Sequence, residues 1–205
     1  MERPGLTVLA YHGCDRSVRD DLLAPGRSVI SVKDSKNPYD WLGTGAYFFE
    51  DDWMRALYFA QVAFDSRALT KGTIKEPAVV GAVIRIHRWL DMCTSEGRQE
   101  YVEAVDSLQE RGTSLRSNKP SDHQLDEFDI LRHLDRQVIN HIHRLRMEQD
   151  LPAYDAVRSY FPQGQSLTGN SAFLESSHVQ IALRKPECVL GYFRVREAEV
   201  QVEDN

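Results

Sequence analysis

The sequence predicts an α+β fold in a single domain over residues 1–205, on three observations. Ala78 to Ile86 is a near-continuous run of apolar, largely β-branched residues, as suits a central strand covered on both faces. His178 to Leu183 alternates with period two, putting Val179, Ile181 and Leu183 on one face and His178, Gln180 and Ala182 on the other. Two segments keep helical spacing instead: Trp53, Ala56, Leu57, Ala60 and Phe64, and then Leu131, Leu134, Val138, Ile142 and Leu145. A chain of this length can bury a sizeable core, and its composition marks no repeat or disordered tract.

The elements follow in order. Leu6 to Tyr11 reads as a buried first strand that delivers His12, Gly13 and Cys14 at its end. A histidine beside a glycine at a strand terminus is placed to meet a ligand, although taken alone it is more often a locally satisfied imidazole. Ser17 is positioned to cap a short helix through Leu23, stopped by Ala24-Pro25-Gly26, and Val29 to Val32 alternates weakly as a short strand. Gly43 and Gly45 allow a tight turn or close approach to a ligand ahead of a strand over Ala46 to Phe49. Asp51 and Asp52 can then cap the helix that starts at Trp53. Gly-Thr-Gly is a weak match to a phosphate loop, because those glycines lie between strand and helix and no Gly-Lys-Ser/Thr follows here.

Ser95 to Gly112 has helical character, Thr113 to His123 is a polar loop, and Asp126 to Arg146 is a second long helix. His141 and His143 fall on different faces of that helix, which argues against a metal pair. Ala153 to Phe161 reads as a strand, a long loop follows, and Cys188 to Val195 is the last strand before an acidic tail.

Composition narrows the function classes. A formal net charge of −6 argues against a general polyanion binder, although a local basic strip can still hold nucleic acid. Cys14, Cys93 and Cys188 are far apart with no Cys-x-x-Cys, so neither a disulfide framework nor a structural zinc site is expected. The first residues lack a basic start followed by an apolar run, and no stretch reaches the length of a membrane span. The expectation is a cytoplasmic protein with no membrane partner.

Three strand-borne signals stand in order: Tyr-His-Gly at 11 to 13, Gly-x-Tyr-Phe at 45 to 48 followed by a helix, and His-x-Gln-Ile at 178 to 181. In order and spacing they resemble the ADP-ribosyltransferase superfamily, in its His-Tyr-Glu branch of poly(ADP-ribose) polymerases and bacterial relatives. The order of elements spans nearly the whole chain, and the first two motifs match tightly. A closer likeness is to bacterial ADP-ribosyltransferase toxins of toxin–antitoxin and phage-defence loci. The resemblance implies split mixed β-sheets with peripheral helices and NAD, as substrate, in the cleft between the sheets. It also implies an enzyme that moves ADP-ribose onto nucleic acid or protein, restrained by a cognate antitoxin or inhibitor.

Carried across by position, His12 would hydrogen-bond the ribose hydroxyl next to nicotinamide, and the Gly13 backbone would hold the carboxamide. Tyr47 would stack on the nicotinamide ring, with Phe48 of the same motif in the cofactor-binding set. Strand register puts Gln180 where the family has a glutamate, which is a departure. A glutamine can bind a ribose hydroxyl but cannot take a proton, and loss of a general base typically costs roughly 100- to 10,000-fold. Glu50, Glu175 or His178 could serve instead, and Glu50 is preferred because it stands where strand becomes helix; the plain alternative is a solvated helix-start carboxylate.

Arg158 and Arg16 suit diphosphate oxygens, or equally form surface ion pairs. Arg132, Arg136, Arg144 and Arg146 could wall a nucleic-acid groove, or form an ordinary solvated helix face. Rival readings stay open: an NAD glycohydrolase with water as acceptor, a catalytically silent module binding NAD or ADP-ribose, and a generic interaction domain.

Overall fold

The computed structural model describes residues 5–26, 32–35, 37, 40–65, 73–120 and 130–196. Its elements are β1 (Leu6–Asp15), α1 (Arg16–Leu23), β2 (Ala46–Glu50), α2 (Trp53–Asp65), β3 (Pro77–Ile86), β4 (Trp89–Asp91) and α3 (Ser95–Glu110). There follow β5 (Lys119–Pro120), β6 (Ile130–Leu131), α4 (His133–Glu148), β7 (Ala156–Phe161), β8 (His178–Leu183) and β9 (Val189–Arg194). The fold is α+β. Seven strands join in the order β4-β7-β8-β2-β1-β3-β9, antiparallel except for the β4–β7 pair, while β5 and β6 form a separate ribbon.

The pairing is uneven, and the unevenness positions the candidate site. The β-branched run of β3 keeps β1 in register over its whole length, from Leu6↔Ile86 to Asp15↔Pro77. In contrast, β1 meets β2 only at Ala10↔Glu50 and Tyr11↔Phe49. A seam therefore divides the sheet into β4-β7-β8-β2 and β1-β3-β9. Apolar residues on one face of each half, Phe48, Ile181 and Leu183 from one and Ala10, Ala82 and Ile84 from the other, belong to one buried cluster. Fully burying a side chain such as Phe48 or Ile181 contributes about 1.5–3 kcal/mol. On the opposite face α2 packs over Tyr11, Phe49 and Val79 through Ala56, and α3 and α4 cover Leu90, Val157 and Ala182.

Several expectations change. The sequence suggests two sheets, whereas the structure keeps all seven strands in one, continuous only through the two rows at the seam. β1 runs on to Asp15 because β3 holds it there, so His12 and Gly13 lie inside a strand rather than at its end. Its first half is not buried: Leu6 and Leu9 are exposed. Asp15, not Ser17, caps α1, accepting from the Ser17 amide at 3.0 Å. Asp52 does cap α2 by accepting from the Arg55 amide, while Asp51 takes a left-handed conformation at φ 52°.

The apolar stripe of α2 is rotated from the expected one. Phe64 is exposed, and Arg55, Ala56, Ala60 and Ala63 are buried, because small side chains let the helix lie close on β1. The second long helix begins at His133 rather than Asp126, and Leu131 belongs to β6. The strand starting at Ala153 begins at Ala156. Most of the Val29–Val32 segment and residues 121–129 lie outside the described residues; Val32 is a buried residue outside any strand.

Candidate functional site

At His12 β1 stays with β3, opposite Val80, but parts from β2. The imidazole takes the place of the missing strand bonds: its Nδ1 lies 2.7 Å from the Tyr47 carbonyl oxygen of β2. A carbonyl only accepts, so Nδ1 carries the proton and Nε2 presents a lone pair. Burial lowers the pKa of His12, against the raising effect of the Tyr47 carbonyl, and so favours the neutral ring. Phe48 packs beside it, ring centroids 5.6 Å apart.

Gly13 has a specific reason to be glycine. A Cβ there would come within 2.0 Å of the Ala56 carbonyl oxygen, so α2 can rest on β1 only if that side chain is missing. Tyr47 points to the helix-covered face, where its hydroxyl donates to the Gly43 carbonyl at 2.8 Å and accepts from the Leu42 amide at 2.9 Å. Gly43, at φ +79°, makes the turn possible. The turn is also held by Asn140, which accepts from the Thr44 amide, and by Arg184, which donates to the Thr44 carbonyl. Burial, then the nearby Asp40 carboxylate, raises the Tyr47 pKa. Asp40 itself is pushed up to about 6 by burial.

The row Tyr11–Phe49–Gln180 crosses β1, β2 and β8, and His12 is the next residue along β1. Outer strands in such a row lie about 10 Å apart. Gln180 shares the Tyr47 face and sits in a local network. Its Nε2 is 2.9 Å from His178 Nε2, and His178 Nδ1 is 2.7 Å from the Ser176 carbonyl oxygen. Burial pushes the His178 pKa down to about 4.

The remaining nominated residues are placed differently. Glu50 points to the opposite face from Gln180 and is held by Arg158 in a forked pair, Nε to Oε2 at 2.6 Å and a second nitrogen to Oε1 at 3.2 Å. That carboxylate is committed to a guanidinium on the far face from Gln180, which does not suit it to the role of substitute base expected from the sequence. Arg158 also reaches Asp91 at 3.3 Å; its hydrogen bond with Glu50 raises its pKa, and its charge is internally matched. Arg16 pairs with Glu76 on the surface. Phe48, only 1% exposed, belongs to the inner core rather than to an open surface. Of the helix arginines, Arg132 stacks over Trp41 and pairs with Asp135, Arg136 donates to Thr44, and Arg146 bonds Glu100 and Tyr154.

Sequence reading missed a buried polar pair at the seam. Arg55 donates to Gln163 Oε1 at 3.0 Å and lies over the Phe49 ring at 5.5 Å. Arginine inside an apolar helical stripe was the available signal; nothing local marked Gln163. An open cleft of about 470 Å³ lies elsewhere, lined by Arg85, Arg88, Asp155 and Lys185 among others, and the chemistry of the nominated residues is not there. Among the described residues no cluster of three or more His, Cys, Asp or Glu could hold a metal, and no helix is long and apolar enough to cross a membrane. Comparisons with protein-family models, curated proteins and solved structures found no match for this chain.

Proposed function

We propose that this chain is an NAD-consuming ADP-ribosyltransferase. The observation that carries the reading is the seam. His12, Tyr47 and Gln180, distant along the sequence, stand on three neighbouring strands where the sheet parts, with a neutral imidazole set into the gap. The seven strands form one sheet rather than the two that the resemblance implies, and the reading takes the seam, where β1 and β2 pair over two rows, as the place where the dinucleotide enters.

In this mechanism the bond from ribose C1′ to the nicotinamide nitrogen breaks with its electron pair leaving on nicotinamide. The oxocarbenium centre is then taken by a lone pair of the acceptor, whose proton passes to solvent. In this reading the ribose lies in the gap of the seam, reached from the Phe48 side by His12 Nε2 and from the Tyr47 side by Gln180 Oε1, each accepting from one hydroxyl, while the Gly13 backbone holds the carboxamide. None of these groups removes a proton, so catalysis rests on orientation and on stabilising the developing cation. The acceptor in this reading is nucleic acid or protein, and the protein partner proposed with it is a cognate inhibitor or antitoxin. A second reading, a silent module that binds NAD or ADP-ribose, is favoured by one observation: Glu50, the preferred substitute for the missing glutamate, is tied to Arg158.

The test is incubation with lysate and NAD labelled in its adenylate half. The expected result is released nicotinamide and label on a macromolecule, which protease or nuclease then identifies. Label recovered as free ADP-ribose would mean a glycohydrolase, and binding without nicotinamide release would mean the silent module.

A further inference from the structure

We propose that His178 is a positioning residue that turns the Gln180 amide so that its carbonyl oxygen, not its NH2 group, faces the ribose of the bound dinucleotide. This rests on the transferase reading above.

A chain of forced donor and acceptor roles leads there. The Ser176 carbonyl can only accept, so the proton of His178 is on Nδ1, 2.7 Å away. A neutral imidazole carries one N–H, which leaves a lone pair on Nε2. Whatever approaches that atom at 2.9 Å must donate, and the Gln180 side chain has one donor group, its Nε2. Oε1 is thereby turned away from His178, and it makes no hydrogen bond among the described residues. The imidazole is only 5% exposed and lies near Phe49 and Phe161, with ring centroids at 5.1 and 5.7 Å, so it is not free to exchange its nitrogens.

Charge reinforces the arrangement. Burial, together with the positive charge of Arg55 on α2, disfavours the imidazolium that would demand the opposite amide orientation. Gln180 is in register with Phe49 and shares the face of Tyr47, from which it meets the ribose across the seam from His12, which lies on the Phe48 side. A carbonyl oxygen there accepts from a ribose hydroxyl as one oxygen of a glutamate would. The histidine two residues earlier in the strand thus compensates for the departure at Gln180, supplying orientation where the family has a carboxylate that needs none.

Nicotinamide release from NAD is to be measured for the wild type, His178→Phe, Gln180→Glu and the double variant, and the side-chain nitrogens of His178 observed by 15N NMR. His178→Phe keeps a ring between Phe49 and Phe161 and is expected to lower kcat about tenfold with little change in KM for NAD. In the Gln180→Glu background the same change is expected to cost less than about twofold, because a carboxylate presents an acceptor whichever way it is turned. The neutral-pH spectrum is expected to show Nδ1 protonated and Nε2 bare. Equal losses in both backgrounds, or a protonated Nε2, overturn the positioning role alone. Wild-type protein that binds NAD and releases no nicotinamide overturns the transferase reading and the role with it; the NMR tautomer still distinguishes that failure from a misassigned amide.

Discussion

His12 and His178 occupy the same chemical state for different reasons. Each gives its Nδ1 proton to a backbone carbonyl, Tyr47 for one and Ser176 for the other, and each is kept neutral chiefly by burial. His12→Phe keeps a ring in the seam but removes both the donor and the Nε2 lone pair. On the transferase reading it is expected to reduce nicotinamide release from NAD by about 100-fold. It should also lower stability by about 1–3 kcal/mol in urea, because the Tyr47 carbonyl loses its partner. His178 sets a pH dependence. A histidine whose folded pKa lies at about 4, below its unfolded value of 6.5, contributes stability that is full above pH 6.5 and lost as pH falls toward 4. The loss is on the order of 3 kcal/mol and should shrink in His178→Phe, as measured by urea unfolding across that range.

Among elements, the glycine inside β1 and the glycine just past α3 make opposite demands. Gly13 is required by packing, since its Cβ would meet the α2 backbone at Ala56; Gly112 is required only by its conformation, at φ +68° with nothing within 4 Å. Gly13→Ala must therefore move a helix and is expected to cost about 3 kcal/mol, whereas Gly112→Ala should cost about 1 kcal/mol. Denaturant midpoints of the two variants, compared at equal slope, check the difference. Strand periodicity made β3 and β8 legible, and the Gly43–Gly45 turn was visible as a turn. The true start of α4 was hidden because Leu131 fits the helical spacing yet pairs with Lys119 across the β5–β6 ribbon. Local pattern cannot report a partner supplied from another part of the chain.

Across the whole molecule, Asp155 fastens segments that sequence separates widely. Its carboxylate accepts from the His87 and Arg88 amides and from Lys185 Nζ, while its own backbone bonds Arg88, Arg184 and Lys185. Burial alone would raise its pKa, but the Lys185 and backbone hydrogen bonds outweigh that and hold it below the usual carboxylate value. Its contribution is thus present above pH 3.8 and lost as pH falls through the lower folded value. Asp155→Asn can keep its side-chain oxygen on the His87 and Arg88 amides but then sets its NH2 group against the Lys185 ammonium, and a loss of about 1–3 kcal/mol is expected by thermal or urea unfolding. Nothing in the sequence marked Asp155, because its partners come from the β3–β4 and β8–β9 connections.

The sequence by itself determined the α+β class, the period of the main strands and helices, and the residue types gathered at the seam, since spacing along the chain dictates which side chains share a face. It also determined that the side chain at position 180 is an amide, which binds a hydroxyl but takes no proton. Only the tertiary structure decided that β1 leaves β2 at His12, that Glu50 belongs to Arg158, and that His178 Nε2 lies against the Gln180 amide. These depend on contacts between distant segments, where the choice of hydrogen-bond and ionic partners is settled by burial and geometry rather than by local propensity.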